Sequence, residues 1–306
     1  MIHLRLLSSA EIQTPLGRVT PSQEIAFAAA LYLMIERERP TSRARLAGLL
    51  WPSAPPRVRS HRLRQTLLQL KRLGIDLTAT RDTVQIPIGG ISIDAEGEPP
   101  LSQDAWPTPT HIEILPGYDP LFSTEFGEWL DIAKQRVQVA LLERLVPKLE
   151  RVRAAGDWVN ANLLATYCLD LDPFNEIAVL TRAEAFAMRG QKNVALDVLD
   201  RYLEAVAPRN PHVVVPAKIL RNRVSKYTPT AATQLSSREP HWVGRQAEML
   251  SLTTQLGNSR EGRGSACLIT GDAGIGKTRL ASELAKFAAL QGVRVEAIKC
   301  RKPEAN

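Results

Sequence analysis

The chain has 306 residues, with 39 Lys and Arg against 32 Asp and Glu and 44% apolar side chains. Its formal charge of +7 is not evenly spread: up to Gly90 there are 13 basic residues against 6 acidic ones, and the remainder balances at 26 against 26. This excludes a generally basic protein and places an electrostatic footprint for nucleic acid on a small N-terminal module.

Taken in order, Ile2 to Leu7 reads as a strand and Glu24 to Glu38 as an apolar helix ending before Pro40. That run is too short to cross a bilayer and carries no cleavage signal, so it is assigned to a core. Thr41-Ser42 offers an N-cap for a short helix through Leu50, and Trp51-Pro52 with Pro55-Pro56 breaks the chain. From Arg57 to Gly74 there is no acidic residue. Leu63, Leu67, Leu70 and Leu73 recur at helical spacing, leaving Arg62, Gln65, Gln69 and Arg72 along another face. Guanidinium and amide groups read guanine and adenine edges or grip phosphates, which makes Arg57, Arg59, Arg62, Arg64, Gln65, Gln69 and Arg72 the candidate DNA contacts. The competing reading is a solvated face on an ordinary amphipathic helix. His61 suits a phosphate contact or a neutral surface position equally. Asp76 to Ile93, with Leu77, Ala79, Val84, Ile86 and Ile88, suggests a wing hairpin turning at Arg81-Asp82. Residues 1–95 are therefore expected to form a winged helix-turn-helix that binds double-stranded DNA.

Residues 96–110, rich in Pro, Gly and acid, read as a linker, and residues 111–227 as a mainly helical domain. Gly156-Asp157 with Ala161 is matched by Gly190-Gln191 with Ala195 at an offset of 34, the period of tetratricopeptide repeats, although a plain helical bundle also fits. Glycine ends one helix, the small alanine allows close approach, and Asp172-Pro173 opens the next helix after a turn. Trp129, Trp158, Tyr167 and Phe174 suit either core positions or a binding groove. From Pro208 to Pro240 periodicity is lost and only weak helices are expected, with residues 228–241 as a second linker.

Residues 242–306 hold a third feature. Ala266 to Thr270 is expected as a buried strand running into Gly271-Asp272-Ala273-Gly274-Ile275-Gly276-Lys277-Thr278 and a helix, the context GxxxxGK[ST] requires. Gly271, Gly274 and Gly276 let backbone N–H groups turn toward phosphates, Lys277 reaches their oxygens, and the Thr278 hydroxyl suits Mg²⁺. Val293 to Ile298 is expected as the next strand. The residues after Lys277 supply no complete sheet, no second carboxylate for Mg²⁺ and no group to position water. ATP hydrolysis by this stretch alone is therefore not expected, and the region is expected to open a P-loop α/β domain belonging to a larger protein. The fold class is mainly α and multidomain: winged helix-turn-helix, TPR-like helices, then the truncated start of a P-loop α/β domain.

The stretch SRARLAGLLWPSAPPRVRSHRLRQTLLQLKRLG, then ILPGYDPLFSTEFGEWLDIAKQRVQVALLERL, then HWVGRQAEMLSLTTQL before GDAGIGKTRLASELA resembles regulators of the Streptomyces antibiotic regulatory protein type. These join a winged helix-turn-helix to a bacterial transcriptional activator domain and, in large members, to an AAA/STAND-type ATPase. The resemblance implies that the helix at residues 57–73 enters the major groove, that two protomers bind direct repeats near a promoter, and that the activator domain dimerises or contacts RNA polymerase. It implies that ATP with Mg²⁺, bound in a complete parent protein, switches DNA binding, and that Arg245 lies near the adenine. The family's wing carries Gly-Tyr and an apolar residue where this chain has Arg81-Asp82-Thr83-Val84, so wing contacts are not carried over. Asp119 and Trp129 match activator-domain positions and are read as structural.

Two function classes follow: a sequence-specific transcriptional regulator, or a STAND-type signalling ATPase or scaffold whose N-terminal module docks protein. An acid-free helix favours the first, because docking surfaces mix charge signs. Cys168, Cys267 and Cys300 have no metal-ligand spacing, their odd number argues against a disulfide scaffold, and Cys168 and Cys267 sit in apolar runs. A cytoplasmic location is expected.

Overall fold

A computed structural model describes residues 1–7, 9–87, 89–97, 112–208, 210–226 and 244–298. Both expected linkers fall largely or wholly outside these residues, as does Ile88. The described residues are mostly helical with two small sheets. They divide into two compact units, the first made of the described residues up to 97 with 112–143 and the second of the described residues from 144 on.

In the first unit, β1 (Ile2–Arg5) pairs antiparallel with β2 (Glu11–Thr14), and β2 pairs with β3 (Gly17–Val19). Alternation along β1 buries Ile2 and Leu4 and turns His3 and Arg5 outward. The β2–β3 hairpin leaves little trace in the sequence, because its strands are short and its turn, Pro15-Leu16, lacks the usual Asn-Gly or Asp-Gly signal. Helix α1 (Glu24–Ile35) is buried continuously from Ala26 to Met34, so it has no amphipathic pattern and forms the middle of the unit. It ends three residues earlier than expected.

The strand β4 (Thr41–Ser42) precedes α2 (Arg43–Leu50), where the Ser42 hydroxyl accepts from the Arg45 amide. Helix α3 (Pro56–Arg72) begins with proline, whose missing N–H costs nothing in a first turn. It stops at Gly74 (φ +85°), where the Ile75 amide reaches the Leu70 carbonyl and the Gly74 amide that of Lys71. This pairing satisfies carbonyls that a helix end otherwise leaves open. The expected wing is divided: β5 (Thr78–Ala79) and β6 (Thr83–Gln85) form the hairpin, while β7 (Ile91–Ile93) leaves it to pair parallel with β1. The Asp94 carboxylate accepts from the amides of Leu6 and Leu7, which holds that edge together.

The first part of α4 (Thr124–Ala154) belongs to this unit and packs aromatic rings onto α1. Trp129 lies 4.6 Å from Tyr32 and 5.1 Å from Phe126, and Tyr118 meets Phe27 edge-on at 4.9 Å. This stretch lies within residues 111–227, expected as a separate helical domain.

In the second unit, α5 (Trp158–Leu171) and α7 (Lys192–Val206) begin 34 residues apart. Each follows a left-handed glycine, Gly156 (φ +70°) or Gly190 (φ +77°), and each buries an alanine completely, Ala161 or Ala195. Between them, α6 (Glu176–Met188) starts at Asn175, whose side chain accepts from the Ala178 amide. Helix α8 (Val215–Lys226) corrects the expectation of a weak connector: Ala217, Leu220 and Val224 are buried at helical spacing in the core that holds Leu199 and Tyr202. Trp158 and Tyr167 are core, whereas Phe174 is 56% exposed.

Two further helices complete this unit, α9 (Gln246–Arg260) and α10 (Lys277–Leu290). The expected strands at 266–270 and 293–298 are absent: both segments lack regular structure, with Leu268 and Ile298 85% and 88% exposed. A buried strand needs neighbours for its amides and carbonyls, and neither segment pairs with another among the described residues. Cys267 is accordingly exposed instead of sheltered in an apolar strand, while Cys168 is buried and its thiol pushed up to about 12 by desolvation.

Candidate functional site

Two places carry chemistry, one in each unit. In the first, the sides of α3 are sharply different. Leu63, Thr66, Leu67 and Leu70 are buried, and Arg57, Arg62, Arg64, Gln65, Gln69, Lys71 and Arg72 are exposed. At about 100° per residue, the exposed groups fill a continuous sector in which Leu68, 52% exposed, stands near the middle. No acidic side chain from α3 enters that sector. Arg59 is the exception among the candidate contacts: its guanidinium turns back to donate to the carbonyls of Pro52 and Ala54.

The β5–β6 hairpin is tied to the start of α2. The Arg43 amide donates to the Asp82 carbonyl at 2.9 Å and its side chain reaches the Thr80 carbonyl. Thr80 Oγ1 accepts from the amides of Asp82 and Thr83, which closes the tip and leaves Arg81 exposed there. The β2–β3 turn meets the other end of α3, because the Thr14 hydroxyl donates to the Leu73 carbonyl at 2.5 Å. The basic helix is thus fixed at its C-terminal end as well as by its buried row.

In the second unit, Gly271 (φ +148°), Gly274 (φ +82°) and Gly276 (φ +93°) all occupy the left-handed half of backbone space, which side chains disfavour. Gly276 caps α10, so Lys277 and Thr278 are its first two residues. The Lys277 ammonium donates to the carbonyls of Gly271 (2.8 Å) and Asp272 (2.7 Å), closing the loop on itself. Thr278 is exposed, and no acidic side chain lies in the first helical turn. The first-turn amides, the lysine and the positive end of the helix form a donor set that fits a polyphosphate with its cation.

The far end of α10 is seated in the helical core of the same unit. Phe287 stacks on Trp158 at 5.8 Å, Leu290 is buried beside α8, and the Gln291 amide donates to Glu184 at 2.9 Å. Glu184, itself buried, also takes two hydrogen bonds from Arg153 at 2.6 and 2.8 Å. The electrostatic pull of that carboxylate outweighs desolvation and raises the Arg153 guanidinium above its ordinary value. This buried pair was not singled out from the sequence, since Arg153 and Glu184 lie in different helices with no motif to link them. Arg245 precedes α9 in a left-handed conformation (φ +60°), following Gly244 (φ +79°).

The family model of the AAA ATPase domain matches residues 241–306, which contain the glycine loop and α10. No curated protein and no solved structure matches the chain. Among the described residues no helix is long and apolar enough to cross a membrane.

Proposed function

We propose that this chain is a sequence-specific DNA-binding transcriptional regulator of the Streptomyces antibiotic regulatory protein type. In this reading residues 1–95 are a winged helix-turn-helix, with α3 as the helix that enters the major groove and β5–β6 as the wing. Residues 111–227 are the TPR-like activator domain, and residues 242–306 open an AAA/STAND-type nucleotide-binding domain. The observation that carries the reading is the exposed sector of α3, in which arginines and glutamines stand together without a carboxylate above a buried leucine row. Such a surface attracts phosphates and offers bidentate groups to base edges.

The donor set around Gly271, Gly274, Gly276 and Lys277 would hold the phosphates of ATP, and the Thr278 hydroxyl would hold Mg²⁺. The AAA match favours nucleotide binding by this region. Bound ATP would supply a cleavable phosphoanhydride, and the chain's own residues would bind and orient it. The match is also compatible with a second reading, a signalling ATPase whose N-terminal module docks protein.

Titration of a labelled duplex at several salt concentrations separates the two. The regulator reading expects log affinity to fall linearly with log salt, by roughly 0.9 for each phosphate neutralised. A combined Arg57, Arg62, Arg64 and Arg72 to Ala variant should lose most of that slope, and absence of duplex binding by the wild-type chain would move the assignment to the second reading.

A further inference from the structure

We infer that Arg59 is a positioning residue that locks the turn between α2 and α3 and so sets how the exposed sector of α3 is presented. It does this without contacting DNA. The functional half of the inference rests on the DNA-binding reading above, and the structural half on the turn itself.

Arg59 begins the row Arg59, Leu63, Thr66, Leu70, spaced four, three and four along α3, and the last three of these are buried. An arginine there is directed toward α2 and not toward solvent. Its Nε donates to the Ala54 carbonyl at 2.6 Å and its Nη2 to that of Pro52. A Cβ placed on Gly48 would lie 3.5 Å from Nη1, so the last turn of α2 closes against the guanidinium.

The turn needs such a clamp. It contains Pro52 and Pro55 and runs into Pro56 at the start of α3, none of which has an N–H, and only the Ala54 amide closes a backbone bond within it, to Trp51. The planar fork reaches two carbonyls at once and brings positive charge to the C-terminal end of α2, where the helix dipole favours it. Lysine, a single point donor, cannot reproduce the fork.

The test uses the full chain with Arg59→Ala, Arg59→Lys and, for comparison, Arg62→Ala. Duplex affinity is measured against salt, and hydrogen exchange is followed at the amides of Ser53, Ala54, Arg57 and Val58. Both Arg59 variants should bind roughly tenfold more weakly, the size of one charge-assisted hydrogen bond, with the wild-type salt slope and faster exchange in the turn. Protected α1 amides establish that the fold is retained, while Arg62→Ala, on the exposed sector, should weaken duplex binding without speeding exchange in the turn. A slope lowered by Arg59→Ala and restored by Arg59→Lys would overturn the inference, because it identifies a phosphate contact. If the wild-type chain binds no duplex, the regulator reading falls by itself. The exchange measurement then still decides the lock, and unchanged turn amides in Arg59→Ala would refute it.

Discussion

Glu36 illustrates what one side chain does at the end of a helix buried from Ala26 to Met34. Its Oε1 accepts from the Trp129 indole at 2.9 Å and from Arg136 at 2.5 Å, joining α1 to the first part of α4. Partial burial works against the charged carboxylate, but the Arg136 and Trp129 hydrogen bonds outweigh it and lower its pKa below the ordinary value. A group depressed in the folded state contributes stability above its unfolded pKa and loses it as pH falls through the folded one. Glu36→Gln should therefore cost about 1 kcal/mol near neutral pH, discounted for its partial exposure. The gap from wild type should close in acid, as followed by urea midpoints across the acidic range. On α3, Arg62→Ala or Gln65→Ala should relax base preference by about 1–3 kcal/mol where the side chain reaches a base edge. Equal weakening on chosen and random duplexes would place those groups on the backbone instead. In a complete parent protein Lys277→Ala should abolish binding of ATP with Mg²⁺ in calorimetric titration, while duplex affinity of this chain stays at the wild-type value.

The helices of the second unit turn on two glycines whose backbones match and whose surroundings do not. Both Gly156 and Gly190 are left-handed, yet a Cβ on Gly190 meets nothing within 4 Å, while one on Gly156 would lie 3.1 Å from Met249 Cγ. Gly190→Ala should cost about 1–2 kcal/mol from the backbone alone, and Gly156→Ala should cost more, with the excess removed when Met249 is shortened to Ala. Equal unfolding midpoints for the two glycine variants would show that Met249 yields freely.

These two glycines were legible in the sequence because the 34-residue offset fixes both at once. The buried row of α3 was legible too, since leucine spacing reports a helix face directly. Continuing that row back to Arg59 would have shown that this arginine is not an exposed contact. Helix α8 carried the same kind of signal in Ala217, Leu220 and Val224, obscured by the irregular residues around it. The segment Ala266 to Thr270 has strand-like composition, but composition does not provide the neighbouring strands its backbone needs, and it remains exposed. Pairings across the sequence, such as β7 with β1 or Arg153 with Glu184, leave no local trace and came only from the fold.

At the scale of the molecule, charge and chemistry are divided along the chain. The basic excess lies before Gly90, and the glycine loop with its lysine lies after Thr270. In the proposed function the first reads duplex DNA and the second holds a nucleotide at the start of helix α10, whose far end is rooted among α5, α6 and α8. The central claim is sequence reading by the exposed sector of α3. The most direct measurement is selection of the purified chain on pooled random duplexes at several salt concentrations, with sequencing of the retained DNA. The account predicts enrichment of a short motif, arranged as a direct repeat, with affinity that falls steeply as salt rises. Retention without enrichment would reduce α3 to a phosphate-binding surface, and no retention would contradict the claim outright.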